Sequence, residues 1–250
     1  MASADALLAR FPKTRPPLPE KLQAIYVRQY QENRSGETTA ASLAQRLEAW
    51  MHRQVAADVR NAAKPTLELG AGTLNQLAYE PPGAAYDIVE PFRQLFEGSA
   101  VRGRVRDVFA DIAEVPAERR YARITSVAAL EHICDLPLVL ARAAKLLETG
   151  GSFRAAIPAE GGFLWKLGWM ATTGLEFRLR HGLDYGQLMA HEHVNRADEI
   201  ERLVSAVFED VRVKSFGVGR QLSLYRFVEA ARPRLDVAET WMSRFGSSAR

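Results

Sequence analysis

Apolar positions follow two spacings along this chain. In "SLAQRLEAWMHRQVAADV", 42–59, Leu43, Leu47, Trp50, Met51 and Val55 recur at helical spacing on one face, and Ser42 is placed to begin the helix. The stretch before it, with Ile25, Tyr26 and Tyr30, reads as another helix broken near Ser35-Gly36, and Pro65 marks a boundary. Beyond it the apolar runs become short: "TLEL", "YDIVE", "RVRDVFA", "YARITSV" and "GSFRAAIP" read as strands. Helical patterns separate several of them. "LPLVLARAAKLLE" is predicted to end at Gly150-Gly151, where a helix C-terminus favours glycine. "NRADEIERLVSAVF" predicts a helix with Asn195 as N-cap and Asp198 three residues on. "DVRVKSFGVG" and "LSLYRFVEA" follow with no helix between them, an antiparallel pair at a sheet edge. The chain from about Arg232 reads as a loose tail or an appended helix. Alternation of this kind predicts an α/β fold, a parallel sheet with helices on both faces, behind an N-terminal helical extension.

Composition narrows the picture without naming a chemistry. The 250 residues suffice for one large domain with an extension, and 47% hydrophobic with 25% charged residues excludes disorder over most of the length. A net charge of +3 is too balanced to make nucleic acid the default partner, although a pI near 9.1 leaves anionic ligands open. Cys134 is the sole cysteine, so no internal disulfide and no cysteine zinc site can form, and a reducing cytoplasm is the expected home. The opening "MASADALLARFPKTRPPLPE" has too short an apolar stretch for a signal peptide, and Pro12, Pro16, Pro17 and Pro19 predict an extended arm. The longest apolar region, Gly161 to Phe177, carries Lys166, Glu176 and three internal glycines, which argues against a membrane span.

The chemistry concentrates at "LELGAGTLNQ", Leu67 to Gln76. In a sheet of this type ligands bind at the carboxyl ends of the strands, where the turn Gly70-Ala71-Gly72 sits. A triphosphate loop needs Gly-Lys-Ser/Thr, and none follows. A dinucleotide fingerprint needs a third small residue where Asn75 stands. Glu68, two residues before the turn, would repel a pyrophosphate and attract a cationic ligand. Glu90 closes "YDIVE" about 20 residues further on, where an acid accepts hydrogen bonds from ribose hydroxyls; the alternative is a solvated strand end. A ribose and a cationic group without phosphates describe S-adenosylmethionine. A nicotinamide dehydrogenase is disfavoured by Glu68 and Asn75.

On these residues the sequence resembles the class I S-adenosylmethionine-dependent methyltransferases of the small-molecule type. "ELGAGTLNQL" is similar to that family's first motif, "YDIVEPF" to its ribose-acid strand, and "FADIAEVP" to the segment meeting adenine. "ITSVAALEHICDLPLVLARAAKLLETGGSFRAAIP" is similar to its fourth strand, following turn, helix and fifth strand. The resemblance, from about Thr66 to Glu229, implies a Rossmann-like, doubly wound, seven-stranded, mostly parallel sheet with an antiparallel last hairpin. It implies S-adenosyl-L-methionine held by Glu68, Gly70, Ala71, Gly72, Asn75, Glu90, Pro91, Asp111, Ile112, Val127 and Ala128. Two positions depart from the pattern: Leu74 replaces the third glycine, and Ala122 replaces an acid at the start of the fourth strand.

The remaining candidates each carry two readings. Asp111 either meets adenine or caps a helix. His132 either lines the cofactor and substrate or is a satisfied structural histidine. His191 and His193, in "MAHEHVN", could ligate a metal if on a strand, sit in a loop, or supply a catalytic base; no third ligand is evident, and no metal is expected. Arg178, Arg180 and His181 are either a solvated helix face or bind a substrate phosphate or carboxylate. Phe163, Leu164, Trp165, Leu167, Trp169 and Met170 are either packed core or an apolar substrate lid, with Trp165 the candidate substrate contact. Three regions are expected: 1–62 as arm and helical cap, 63–231 as cofactor-binding domain with an inserted lid at about 159–194, and 232–250 as a tail. The expected activity is methyl transfer to a small-molecule or glycan-precursor acceptor, to oxygen before nitrogen, with His191, His193 or His132 as base. A degenerate cofactor-binding domain with a regulatory or scaffolding role is the alternative. No nucleic acid and no membrane span are expected, and a homodimer is left open.

Overall fold

The computed structural model describes residues 4–19, 21–23, 25, 42–161, 177, 180, 182–219 and 222–246. The strand-like runs of the sequence pair into one seven-stranded sheet of order β3-β2-β1-β4-β5-β7-β6. The strands are β1 (Thr66–Leu69), β2 (Tyr86–Val89), β3 (Val108–Phe109), β4 (Tyr121–Val127), β5 (Leu147–Pro158), β6 (Phe208–Val218) and β7 (Leu222–Pro233). The first five run parallel, and β7 is antiparallel to both β5 and β6. The order reverses between β1 and β4, which places the switch point beside the glycine turn.

The helices are α1 (Ala4–Leu8), α2 (Ser42–Val55), α3 (Leu136–Leu146), α4 (Tyr185–Glu192), α5 (Ala197–Val207) and α6 (Leu235–Gly246). Alternate residues of the strands sort into two unlike faces. Leu67, Leu69, Ile124, Phe153 and Val228 face α3, α5 and α6 and form the main core. On the opposite face, Thr66, Glu68, Arg123, Thr125 and Arg154 are all buried and polar. There α2 packs Met51 and Val55 on Ala156 and Phe227.

A charged network holds α2 to that polar face. Arg123 donates to the Val55 carbonyl at 2.9 Å and to both oxygens of Glu80, at 2.7 and 3.2 Å. Arg154 donates to the same Val55 carbonyl at 2.9 Å and to that of Gln54 at 2.8 Å. Asp58 lies 3.0 Å from Arg123 and 3.1 Å from Arg154. The two guanidinium groups therefore meet the negative end of the α2 dipole and its unsatisfied terminal carbonyls.

Three sequence expectations are corrected. The helix predicted to reach Gly150-Gly151 ends at Leu146, and both glycines belong to β5. A Cβ on Gly151 would lie 3.0–3.1 Å from the carbonyl oxygens of Glu148, Ala122 and Tyr121, so glycine serves close strand approach here. The pairing of β4 with β5 shifts register at this place. Asn195 does not cap α5; Arg196 stands at the N-cap, where its backbone N–H donates to the Glu199 carboxylate at 3.1 Å. Asn195 is buried and donates from Nδ2 to the carbonyls of Leu130 and Ile133, at 2.9 and 2.7 Å. His191 and His193 lie on no strand: His191 belongs to α4 and His193 is its C-cap. Leu235–Gly246 form α6, the second of the two readings of that segment.

Removing Arg123 would leave Glu80 and Asp58 with a lost buried partner. Arg123→Met is expected to lower unfolding free energy by about 3–5 kcal/mol in urea denaturation. Lys145→Ala, at the exposed pair with Glu239, is expected to cost ~0–1 kcal/mol.

Candidate functional site

The site is built where the carboxyl ends of β1, β2 and β4 converge. The turn after β1 uses left-handed backbone at alternate residues: Gly70 at φ 69°, Gly72 at 51° and Leu74 at 67°. A Cβ on Gly70 would lie 2.4 Å from that of Ala129, so the glycine lets the β1 turn pack against the β4 turn. At Gly72 a Cβ would meet nothing within 4 Å, so this side of the turn is open. Leu74 keeps the left-handed geometry that the missing third glycine would supply. Its side chain is buried with Leu77, Ile88 and Phe96.

Glu90 ties the turn to the end of β2. Its Oε2 accepts from the Gly72 N–H at 2.9 Å and its Oε1 from the Phe92 N–H at 3.0 Å. A carboxylate oxygen accepts two hydrogen bonds, so each retains capacity for a ligand hydroxyl. Pro91 is exposed beside it. Asn75 donates to Glu48 of α2 at 3.2 Å, which brings that helix over the turn. Ala71 is buried, Val127 is half-buried, and Ala128 is exposed in left-handed backbone at φ 49°.

Glu68 sits otherwise than the sequence suggests, and Asp111 takes the capping one of its two readings. Glu68 is buried on the polar sheet face, not in the cleft, and accepts from the Tyr86 hydroxyl at 2.8 Å. Burial pushes its carboxyl up to about 8, against the lowering by Tyr86, so it is neutral at pH 7 and exerts no pull on a cation as it stands. Asp111 is exposed and caps a helical turn, accepting from the Ala113 N–H at 2.6 Å, with Arg142 at 3.3 Å; Ile112 is in the main core.

The histidines divide. His132 and His193 meet edge to face, with ring centroids 4.8 Å apart. His132 Nδ1 lies 2.9 Å from the Glu192 carbonyl oxygen, and His193 Nδ1 bonds the Glu160 carboxylate. Glu131, almost fully buried, completes the cluster, and burial raises its carboxyl above the usual range. Burial pulls His193 down, but Glu160, Glu131 and Glu192 outweigh it and hold the imidazole above its ordinary value. His191 is not brought in; its Nδ1 lies 2.7 Å from the Pro16 carbonyl.

The N-terminal arm straps this region. Lys13 donates from its backbone to the Cys134 carbonyl at 2.8 Å and from Nζ to Val194 at 2.8 Å and Glu199 at 2.6 Å. Arg15 donates to the carbonyls of His132 and His191, each at 3.0 Å. Sequence reasoning missed Lys13, Arg15, Glu160 and Glu192, because charges scattered over 180 positions carry no local signal. Of the proposed substrate residues, Arg180 is exposed, while Trp165, Arg178 and His181, with Phe163, Leu164, Leu167, Trp169 and Met170 of the proposed lid, lie outside the described residues.

Among solved structures, the chain is similar to phosphoethanolamine N-methyltransferase 2 of Haemonchus contortus in complex with S-adenosyl-L-methionine, at TM-score 0.52 and 12% identity. The fold is that of the class I methyltransferases. The alignment covers 76% of this chain and 53% of that one. A structure described as a possible exported protein from Bordetella parapertussis aligns at TM-score 0.54 and 14% identity, over 92% of this chain and 78% of the other. An O-methyltransferase family protein from Burkholderia thailandensis aligns at TM-score 0.47 and 16% identity, over 76% of this chain and 56% of that one. The chain thus spans little more than half the length of the two methyltransferases. Identities this low speak for the fold alone. No protein-family model matches the chain, and no curated protein matches it. No helix among the described residues is long and apolar enough to cross a membrane.

The protonated state of Glu68 sets a pH dependence. Its unfolded value is near 4.5 and its folded value about 8, so the folded chain binds the extra proton between them and stability falls as pH rises through that window. Glu68→Gln is expected to remove this slope and to gain on the order of a few kcal/mol over the native chain by pH 8. Denaturation curves at pH 5 and 8 that stay parallel for the two proteins would refute this.

Proposed function

We propose that the protein is an S-adenosylmethionine-dependent methyltransferase acting on a small-molecule or glycan-precursor acceptor, at oxygen before nitrogen. The observation carrying this reading is Glu90, buried at the end of β2 with one N–H of the glycine turn on one oxygen and lone pairs left for a ribose diol. The open side of Gly72 gives the ribose and methionine portions room without a phosphate cradle. Asp111, through the oxygen that Ala113 does not engage, suits an adenine amino group. When bound, S-adenosylmethionine supplies an electrophilic methyl group and a neutral thioether leaving group. The chain's own residues bind and orient: the turn fixes the cofactor, and the β4 turn, packed on Gly70, sets His132 and His193 at the acceptor side. Those imidazoles suit the removal of a hydroxyl proton, which favours an oxygen acceptor. The single cysteine fits a reducing cytoplasm.

A cofactor-binding domain that transfers no methyl group is the alternative, resting on Leu74 in place of a glycine and on the lack of an obvious catalytic base in the sequence. Leu74 keeps the glycine-like backbone with its side chain turned into the core, so it gives that reading little support.

S-adenosylhomocysteine is expected to raise the melting temperature by mass action, whereas NAD is not. Glu90→Ala is expected to weaken S-adenosylhomocysteine by about 1–3 kcal/mol in calorimetry. Stabilisation by NAD alone would overturn the proposal. His193→Ala is expected to lower turnover of a small-molecule acceptor by roughly 10²–10⁴ while S-adenosylhomocysteine affinity holds. Equal loss of both would place His193 in cofactor binding instead.

A further inference from the structure

Glu131, His132 and His193 each offer one ligand atom, and these atoms lie within 4.8 Å of one another. Two imidazoles with a carboxylate suit first-row divalent cations, whereas magnesium and calcium prefer oxygen sets. The ring tautomers follow from the partners. His132 Nδ1 faces the Glu192 carbonyl, and His193 Nδ1 faces the Glu160 carboxylate. A carbonyl or carboxylate oxygen accepts, so each Nδ1 carries the hydrogen and each neutral ring keeps its lone pair on Nε2. Imidazoles that bind metals are oriented by this same outer hydrogen bond.

Glu131 supplies an independent observation. The residue is 2% exposed, and its Oε2 is buried without a hydrogen-bond donor among the described residues. A buried carboxylate oxygen with nothing to accept from is costly, and a coordinated cation relieves that cost. Glu160 and Glu192 add negative charge around the cluster. Arg15 lies 3.8 Å from the Glu192 carboxylate and grips the backbone of the same turn.

We propose that Glu131, His132 and His193 form a binding site for a first-row divalent cation such as Mn²⁺, Co²⁺ or Zn²⁺. Binding stands on the cluster alone. Its catalytic meaning rests on the methyltransferase reading: the cation would bind the acceptor hydroxyl and lower its pKa so that the proton leaves to solvent water, and the oxygen would then take the methyl group as the sulfonium C–S bond breaks and S-adenosylhomocysteine departs. The imidazoles then serve the acceptor through the cation instead of as free bases.

Cobalt is the probe. The full chain, stripped of metal by chelator and dialysed, is titrated with Co²⁺ and followed by its visible d–d bands. A saturable phase is expected, displaced by Zn²⁺ and accompanied by a rise in melting temperature. His132→Asn, His193→Asn and Glu131→Gln are each expected to weaken Co²⁺ by roughly tenfold or more. His191→Asn is expected to leave it unchanged. Glu160→Gln, which retains all three ligands and alters only the partner of His193, is expected to weaken Co²⁺ by roughly 10–100-fold, and it decides the matter if a ligand variant fails to fold. Absence of the bands in the native chain, or their persistence in a folded His132→Asn/His193→Asn variant, would overturn the site. Failure of the methyltransferase reading shows separately, as no thermal response to S-adenosylhomocysteine in protein that still binds Co²⁺.

Discussion

The docking of α2 through two buried guanidinium groups is the constraint from which the rest of the ligand end follows. Arg123 and Arg154 have left water, and a buried charge without partners would cost several kcal/mol. The last carbonyls of α2, with Asp58, Glu80 and Glu229, supply those partners. The helix position is thereby fixed by hydrogen-bond geometry, where an apolar face alone would permit sliding. From α2 a polar chain runs onward. His52 donates to Gln76 at 2.7 Å, and Gln76 donates to Glu80 at 2.7 Å, which returns to Arg123. The residues just after the glycine turn are thus held by the network that anchors the helix.

The opposite side of the cleft is held by the N-terminal arm. Lys13 and Arg15 donate to carbonyls of the β4 turn, of the last turn of α4 and of the segment after it. Segments from three distant parts of the sequence meet at His132 and His193. Asn195 contributes from beneath, donating to two carbonyls of the β4 turn while its own N–H bonds Glu131. A residue suited by type to accept at an N-cap here donates instead, from its Nδ2 to the carbonyls of a neighbouring turn.

Much of the fold was legible because strand periodicity and glycine placement are local properties. The seven strands, the final antiparallel pair and the glycine turn after β1 all follow from short windows. The polar sheet face was not legible. Thr66, Glu68, Arg123 and Arg154 are polar types that give no sign of full burial, and that burial depends on α2 closing over them. Glu68 shows the difficulty: its charge was taken from its type, while burial raises its carboxyl to about 8. The cluster of Glu131, His132 and His193 was half-visible. A third ligand was sought near His191 and His193 in sequence, but it lies some 60 positions earlier, and α4 turns His191 away.

Leu74 couples two things that such turns usually keep separate. Left-handed backbone costs a leucine about 1–2 kcal/mol, and burying its side chain returns roughly 1.5–3 kcal/mol. A glycine at this place would leave the loop an ensemble of shapes, one of which a ligand must select. With leucine, the shape is chosen during folding, by the small apolar cluster of Leu77, Ile88 and Phe96. The entropy of ordering the loop is then charged to the protein's stability and not to its affinity. If the turn holds the cofactor as proposed, any change that loosens this cluster, however far from the ligand, reappears as weaker binding.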